Sequence, residues 1–239
     1  KFKQERFNLY SLEKRLVSRV LRQDKIKQLS GLYVILDRQT LAGGDELETA
    51  KQIAQGGAKV IQLRDKQGSK RELLSIAQKL KELCSESGIL FIINDYLDLV
   101  LAVDADGLHI GQGDLPLLIV RKELPIDKIV GCSVTTISQA IKAQNEGADY
   151  ISVGSIFSTT TKKEAIVVGV DGLKEIKEAV FSPLVAIGGI NEDNIGQVIA
   201  AGVDSVAVVN AVLGGEDVKE ATRRLITRID LAREKCQSK

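Results

Sequence analysis

Residues suited to holding anions recur at regular intervals along this chain. Gln62, Arg64 and Lys66 stand at alternate positions, followed by Asn94-Asp95, Asp114, Ser133, the stretch from Thr159 to Lys163, and Gly188-Gly189. Two cations beside a primary amide supply the charge and N–H donors that a diphosphate requires. Asp95 and Asp114 can share one hard cation. Mg²⁺ commonly takes one or two carboxylates and completes its shell from phosphate oxygens and water. The hydroxyls and ammonium groups of 159–163 suit a loop that closes over phosphates. Glycines at 188 and 189, and the backbone of Val209-Asn210-Ala211 after the next apolar run, suit close approach of a phosphate to N–H groups. Two anion regions result, one for a diphosphate with a metal and one for a monophosphate.

Each feature also has a plainer reading. The cationic triple could satisfy Asp65 or another carboxylate internally, each Asp could cap a helix, and the Ser/Thr run could be a solvated loop. His109, the one histidine, lies inside an apolar run, where a structural role is expected over that of a general base. No Ser-His-Asp set can be assembled, which disfavours nucleophilic acyl chemistry.

What must position these residues is a series of eight short runs rich in Val and Ile. Strands are expected near Gly31–Asp37, Lys59–Arg64, Leu90–Asn94, Gly107–Ile110, Lys128–Cys132, Tyr150–Val153, Leu184–Ile187 and Ser205–Val208. Their near-continuous apolar character is that of strands buried on both faces. Helical patterns lie between them at Glu46–Gln55, Lys70–Glu86, Ile137–Glu146, Leu173–Val180 and Asn194–Ala200, with a last helix from about Asp217 to Glu234. Gly57, Gly147 and Gly202 each precede an incoming strand, as helix-terminating glycines do. Eight such units close most simply into an α/β fold, a (β/α)8 TIM barrel with an additional N-terminal helical segment, which puts every strand's carboxyl end on one rim. An open doubly wound sheet is the alternative, and no GxGxxG follows the first strand to support it.

Residues 1–28 stand apart as a helical extension, with residues 29–239 forming the catalytic barrel. Leu9, Leu12, Leu16 and Val20 recur at helical spacing, predicting an amphipathic helix from about Leu9 to Lys25. That helix could be a solvated appendage, dock on the barrel, pair with another subunit in a homo-oligomer, or be the tail of an upstream domain. The chain contains no methionine, so it is expected to be a processed form or a piece of a longer protein.

Composition narrows the function further. At 239 residues, 44% hydrophobic, 27% charged and a net charge of +1, the chain suits one soluble domain with no global field for nucleic acid or a membrane surface. Aromatics make up only 4%, too few for base-stacking platforms. No apolar run is long enough to cross a bilayer, and the amino end is unlike a signal peptide. Cys84, Cys132 and Cys236 are odd in number and far apart, which reads as reduced cytoplasmic thiols.

The ordered phrases Gln62-Leu63-Arg64-Asp65-Lys66, Asn94-Asp95, His109-Ile110-Gly111-Gln112-Gly113-Asp114-Leu115-Pro116, Gly131-Cys132-Ser133, Thr159-Thr160-Thr161-Lys162 and Ala186-Ile187-Gly188-Gly189-Ile190 resemble the thiamine phosphate synthase (thiamin-phosphate pyrophosphorylase) family. The resemblance spans about Gly31 to Leu213. It implies a transferase that condenses hydroxymethylpyrimidine diphosphate with a thiazole phosphate and releases diphosphate. It further implies that Gln62, Arg64, Lys66, Asn94 and Lys162 hold the diphosphate, and that Asp95 and Asp114 bind Mg²⁺. Ser133 would lie near the pyrimidine, while Thr159, Thr161, Gly188, Val209 and Asn210 would receive the thiazole phosphate. Arg64, Lys66, Ser133 and Lys162 would carry the catalytic work. The chain departs from the family pattern at Ser155 and Ser158, where Pro is usual, and at Asn210, where Ser is usual. Two rivals remain: a thiazole tautomerase, in which a His is expected in place of Ser133, and a non-catalytic phosphate-ligand sensor.

Overall fold

A computed structural model describes residues 2–41, 43–159 and 166–237. Eight parallel strands form a closed barrel in sequence order: β1 (Gly31–Asp37), β2 (Val60–Arg64), β3 (Leu90–Asn94), β4 (Gly107–Ile110), β5 (Ile129–Val134), β6 (Tyr150–Val153), β7 (Leu184–Ile187) and β8 (Ser205–Val208). β8 pairs with β1, so no strand edge is left open. Around the barrel run α1 (Phe2–Gln28), α2 (Arg38–Leu41), α3 (Glu46–Gly56), α4 (Lys70–Glu86), α5 (Leu97–Val103), α6 (Leu117–Glu123), α7 (Ile137–Asn145), α8 (Gly169–Ala179), α9 (Ile195–Ala200), α10 (Asn210–Leu213) and α11 (Val218–Gln237).

Strand alternation divides the core in two. Outward positions such as Ile61, Leu63, Phe91 and Ile93 pack beneath the helices. Inward positions such as Tyr33, Ile35, Val60, Ile92, Ile129, Tyr150 and Val185 fill the barrel. One inward position is empty for a reason: a methyl group on Gly131 of β5 would collide with the Tyr150 ring from β6.

The helices are delimited by local chemistry. Asp45 caps α3 by accepting the amides of Leu47 and Glu48 at 2.8 and 2.9 Å. Gly57, Gly147 and Gly202 adopt φ of 98°, 96° and 84°, the left-handed geometry expected of glycines that end helices.

At the opposite end of the barrel from the strands' carboxyl termini, three aspartates repeat one device. Asp106, Asp149 and Asp204 accept the backbone N–H of Phe91, Val130 and Leu184 at 3.0, 2.8 and 2.9 Å. Two of them also anchor α1. Arg22 pairs with Asp149 at 2.7 Å and Lys25 with Asp106 at 3.3 Å, while Leu29 seals the barrel floor with Ile26 packed against it. These anchors carry the helix on to Gln28, past the Lys25 end expected from its apolar spacing. Its earlier apolar residues stay exposed, Leu12 at 56% and Leu16 at 55%. No helix among the described residues is long and apolar enough to cross a membrane.

Candidate active site

Every described residue singled out for chemistry is brought to the carboxyl-terminal rim of the barrel or just below it, apart from the exceptions named here. Thr161 and Lys162 lie outside the described residues. Gln62 sits deeper than its motif neighbours, fully inside the barrel, where its Nε2 donates to the Tyr33 hydroxyl at 2.5 Å.

Arg64 and Lys66 each find a carboxylate on a neighbouring loop. The β1–β2 register sets Asp37 beside Arg64, and the two side chains form an ion pair. Asp37 is almost fully buried and also accepts from the Thr40 backbone N–H and hydroxyl at 2.9 and 3.2 Å. The internal partner of Arg64 is therefore Asp37, and Asp65 instead pairs with Arg38 at 2.5 Å. Burial tends to raise the Asp65 carboxyl, but the amides of Gln67 and Gly68 together with Arg38 outweigh it and hold it below its ordinary range.

Lys66 Nζ lies 3.0 Å from Asp95. Asp95 occupies a left-handed conformation, φ 65°, with its N–H donating to the His109 carbonyl at 2.9 Å. Non-glycine residues seldom adopt this geometry, and when they do it often aims a functional side chain. Here it sets the carboxylate within hydrogen-bonding reach of Asp114. Burial raises the Asp95 carboxyl above its ordinary value, the neighbouring Asp114 adds to the effect, and Lys66 opposes it. Asp114 also closes its own loop by accepting the Gly111 N–H at 2.7 Å, so it does not cap the helix that follows. A buried carboxylate whose charge is disfavoured by a second carboxylate beside it fits a divalent cation between the two. Among the described residues no group of three or more His, Cys, Asp or Glu is placed to hold a metal.

Asn94 ends β3 and is buried. On β5, Ser133 Oγ lies 2.8 Å from His109 Nε2, and Gln112 Nε2 donates to the Ser133 carbonyl at 2.7 Å. The adjoining Cys132 thiol is pushed up to about 11 by burial, so it is no thiolate nucleophile at neutral pH.

The residues expected to receive a monophosphate lie on the last three loops. Gly188 and Gly189 have φ of 101° and 66°. A side chain at Gly188 would strike Ser155, and one at Gly189 would strike Phe157 and Ser158. The sixth loop is sewn onto them through Ile156 N–H to the Ile187 carbonyl and Phe157 N–H to the Gly188 carbonyl, both 2.9 Å. Thr159 extends from that loop, while Val209 and Asn210 lead from β8 into α10.

Sequence reasoning missed Asp37, Tyr33, Tyr150 and the Ser133–His109 contact. Asp37 carried a faint signal, a charge closing an apolar run, but its match to Arg64 depends on register across two strands.

Burial lowers the His109 imidazole from its ordinary 6.5 to about 4. In the unfolded chain it binds a proton near pH 6.5, so its contribution to stability is complete above that value. It is lost as pH falls from 6.5 toward 4, by about 3 kcal/mol. Denaturant titrations across that window should show this slope in the native chain and a shallower one in His109→Gln.

A family model described as thiamine monophosphate synthase matches residues 32–212. Thiamine-phosphate synthase of Clostridium tetani is 47% identical over 194 residues, covering 81% of this chain and 93% of that protein. The Moorella thermoacetica thiamine-phosphate synthase is 47% identical over 205 residues, 85% of this chain and 98% of the relative. Among solved structures, thiamine phosphate pyrophosphorylase from Pyrococcus furiosus superimposes with a TM-score of 0.81 at 40% identity, over 87% of this chain and 98% of the other.

Proposed function

The chain belongs to the thiamine monophosphate synthase family, and from that footing we propose how its rim residues perform the reaction and what they hold. The activity is transfer of a hydroxymethylpyrimidine group from its diphosphate to a thiazole phosphate, giving thiamine phosphate and diphosphate. The observation that carries the site assignment is the chain of contacts Lys66–Asp95–Asp114 across three consecutive loops.

Arg64, Lys66, Gln62, Asn94 and Lys162 bind the diphosphate, and Asp95 with Asp114 would hold Mg²⁺. When bound, Mg²⁺ supplies positive charge that stabilises the departing diphosphate. Arg64 and Lys66 do the same from fixed positions on the rim, their carboxylate partners holding them ready before substrate arrives. The pyrimidine methylene can then ionise, and the thiazole nitrogen attacks it. Ser133 stands beside the pyrimidine, and Thr159, Thr161, Gly188, Val209 and Asn210 hold the thiazole phosphate so that its nitrogen faces that carbon. No protein nucleophile is required. The catalytic unit is residues 29–239, the partners are small molecules, and the setting is cytoplasmic.

Incubation with both substrates and Mg²⁺ tests the reading, following diphosphate release and thiamine phosphate together. Formation of both in equal amounts, abolished by chelation, is expected. Failure to form thiamine phosphate at saturating substrates would remove the proposal.

A further inference from the structure

We propose that Tyr33, Tyr150 and His109 are positioning residues, an interior hydrogen-bonded relay that sets how Ser133 and Gln62 present themselves to the pyrimidine diphosphate. The proposal rests on the substrate reading above and adds two residues, Tyr33 and Tyr150, that no rim motif contains.

The relay runs through the middle of the barrel. Gln62 Nε2 lies 2.5 Å from the Tyr33 hydroxyl, which lies 3.1 Å from the Tyr150 hydroxyl. That hydroxyl lies 3.0 Å from His109 Nδ1, and His109 Nε2 lies 2.8 Å from Ser133 Oγ. The Tyr33, Tyr150 and His109 side chains are all buried. Barrel interiors are ordinarily filled with branched aliphatic side chains, and burying a hydroxyl or imidazole is costly unless it is paired. Here the pairing is complete, since no buried side-chain nitrogen or oxygen among the described residues lacks a partner. Space has been made for it as well, because the absent side chain of Gly131 is what admits the Tyr150 ring. Both ends of this interior path are residues assigned to substrate.

With the Gln62 amide nitrogen on Tyr33, the proposed path takes one direction. An amide NH₂ can only donate, so the Tyr33 oxygen accepts from Gln62 and passes its own proton toward Tyr150. Tyr150 in turn donates to Nδ1 of His109. A neutral imidazole has one acceptor and one donor, so Nε2–H donates to Ser133. Ser133 therefore accepts from below and keeps its hydroxyl proton for an acceptor on the substrate. At the other end the Gln62 carbonyl oxygen is the amide terminus turned away from Tyr33. Such a chain is held more firmly than its separate links.

Tyr150→Phe cuts the relay at its centre while keeping the ring. The expected result is a fall of roughly 10–100-fold in kcat/KM for the pyrimidine diphosphate, with KM for the thiazole phosphate unchanged. In a Ser133→Ala background the same change should cost less than about threefold, because its effect travels through Ser133. An equal cost in both backgrounds, or an equal rise in both KM values, overturns the proposal. Tyr33→Phe, which breaks the path on the Gln62 side, gives the same cycle against Gln62→Ala should Tyr150→Phe fail to fold.

A second measurement does not depend on turnover. His109 is the only histidine, so ¹⁵N-imidazole spectra of the unmodified protein report it alone. A proton on Nε2 and none on Nδ1 is expected, and the opposite tautomer overturns the relay. A protein with the expected tautomer that forms no thiamine phosphate would instead overturn the substrate reading.

Discussion

Replacing Asp95 by Asn lowers turnover by roughly 10²–10³-fold while the barrel remains folded. Asn tolerates the left-handed backbone at this position, φ 65°, so the loop keeps its shape and its N–H stays on the His109 carbonyl. What disappears is charge. Lys66 loses its partner at 3.0 Å, and the Asp95–Asp114 pair is reduced to one carboxylate. Because burial and Asp114 already disfavour the ionised Asp95, thermal unfolding of Asp95→Asn should be no earlier than in the native chain. Steady-state rates across a Mg²⁺ titration, read beside a melting curve, give the check. A loss smaller than tenfold would remove Asp95 from the proposed metal site.

Arg64→Ala has a comparable effect on turnover, at least about 10²-fold, yet a different effect on the fold. Asp37 is left nearly buried without its cation, held among the described residues by the Thr40 hydroxyl and N–H. Breaking a buried pair from one side costs about 3–5 kcal/mol, and the partial exposure of Arg64 places this case toward the lower end. The double variant Asp37→Asn with Arg64→Ala removes the stranded charge. It should recover much of the stability and none of the activity. Denaturant midpoints and diphosphate-release rates for the single and double variants separate the two roles. A single variant as stable as the native chain would mean that Asp37 is satisfied by other means.

The two variants differ in a way the sequence could not disclose. Arg64 and Lys66 sit two residues apart in one motif, and alternation alone sends both to the mouth of the barrel. Whether each meets a fully buried or a half-buried carboxylate depends on which residue the neighbouring strand places beside it. The strands themselves were legible because unbroken Val/Ile runs bounded by Gly and Asp leave few alternatives; β1, β3 and β4 fall where the residue pattern puts them. Short helices fared worse. α2, α5, α6 and α10 are four to seven residues long and carry too few turns to show a period. α8 starts at Gly169, four residues before the expected Leu173, because its first turn has a glycine at either end of Val170-Asp171 and no apolar stripe. The interior path from Gln62 to Ser133 was hidden for another reason. Tyrosine on a buried strand reads as apolar bulk, and nothing in a linear order says that two of them link Gln62 to the lone histidine.

Gly131 and Tyr150 together carry a consequence for how this barrel can change. One strand gives up a side chain so that its neighbour can seat an aromatic ring, and the two positions are not free to drift separately. Enlarging residue 131 first meets an occupied space, whereas shrinking residue 150 first opens a void and silences the histidine's partner. A lineage that abandons the tyrosine can afterwards accumulate bulk at 131, and the way back then requires two changes at once. The inside of the barrel therefore behaves as a ratchet: the order in which substitutions arrive, and not only their identity, decides which descendants remain reachable.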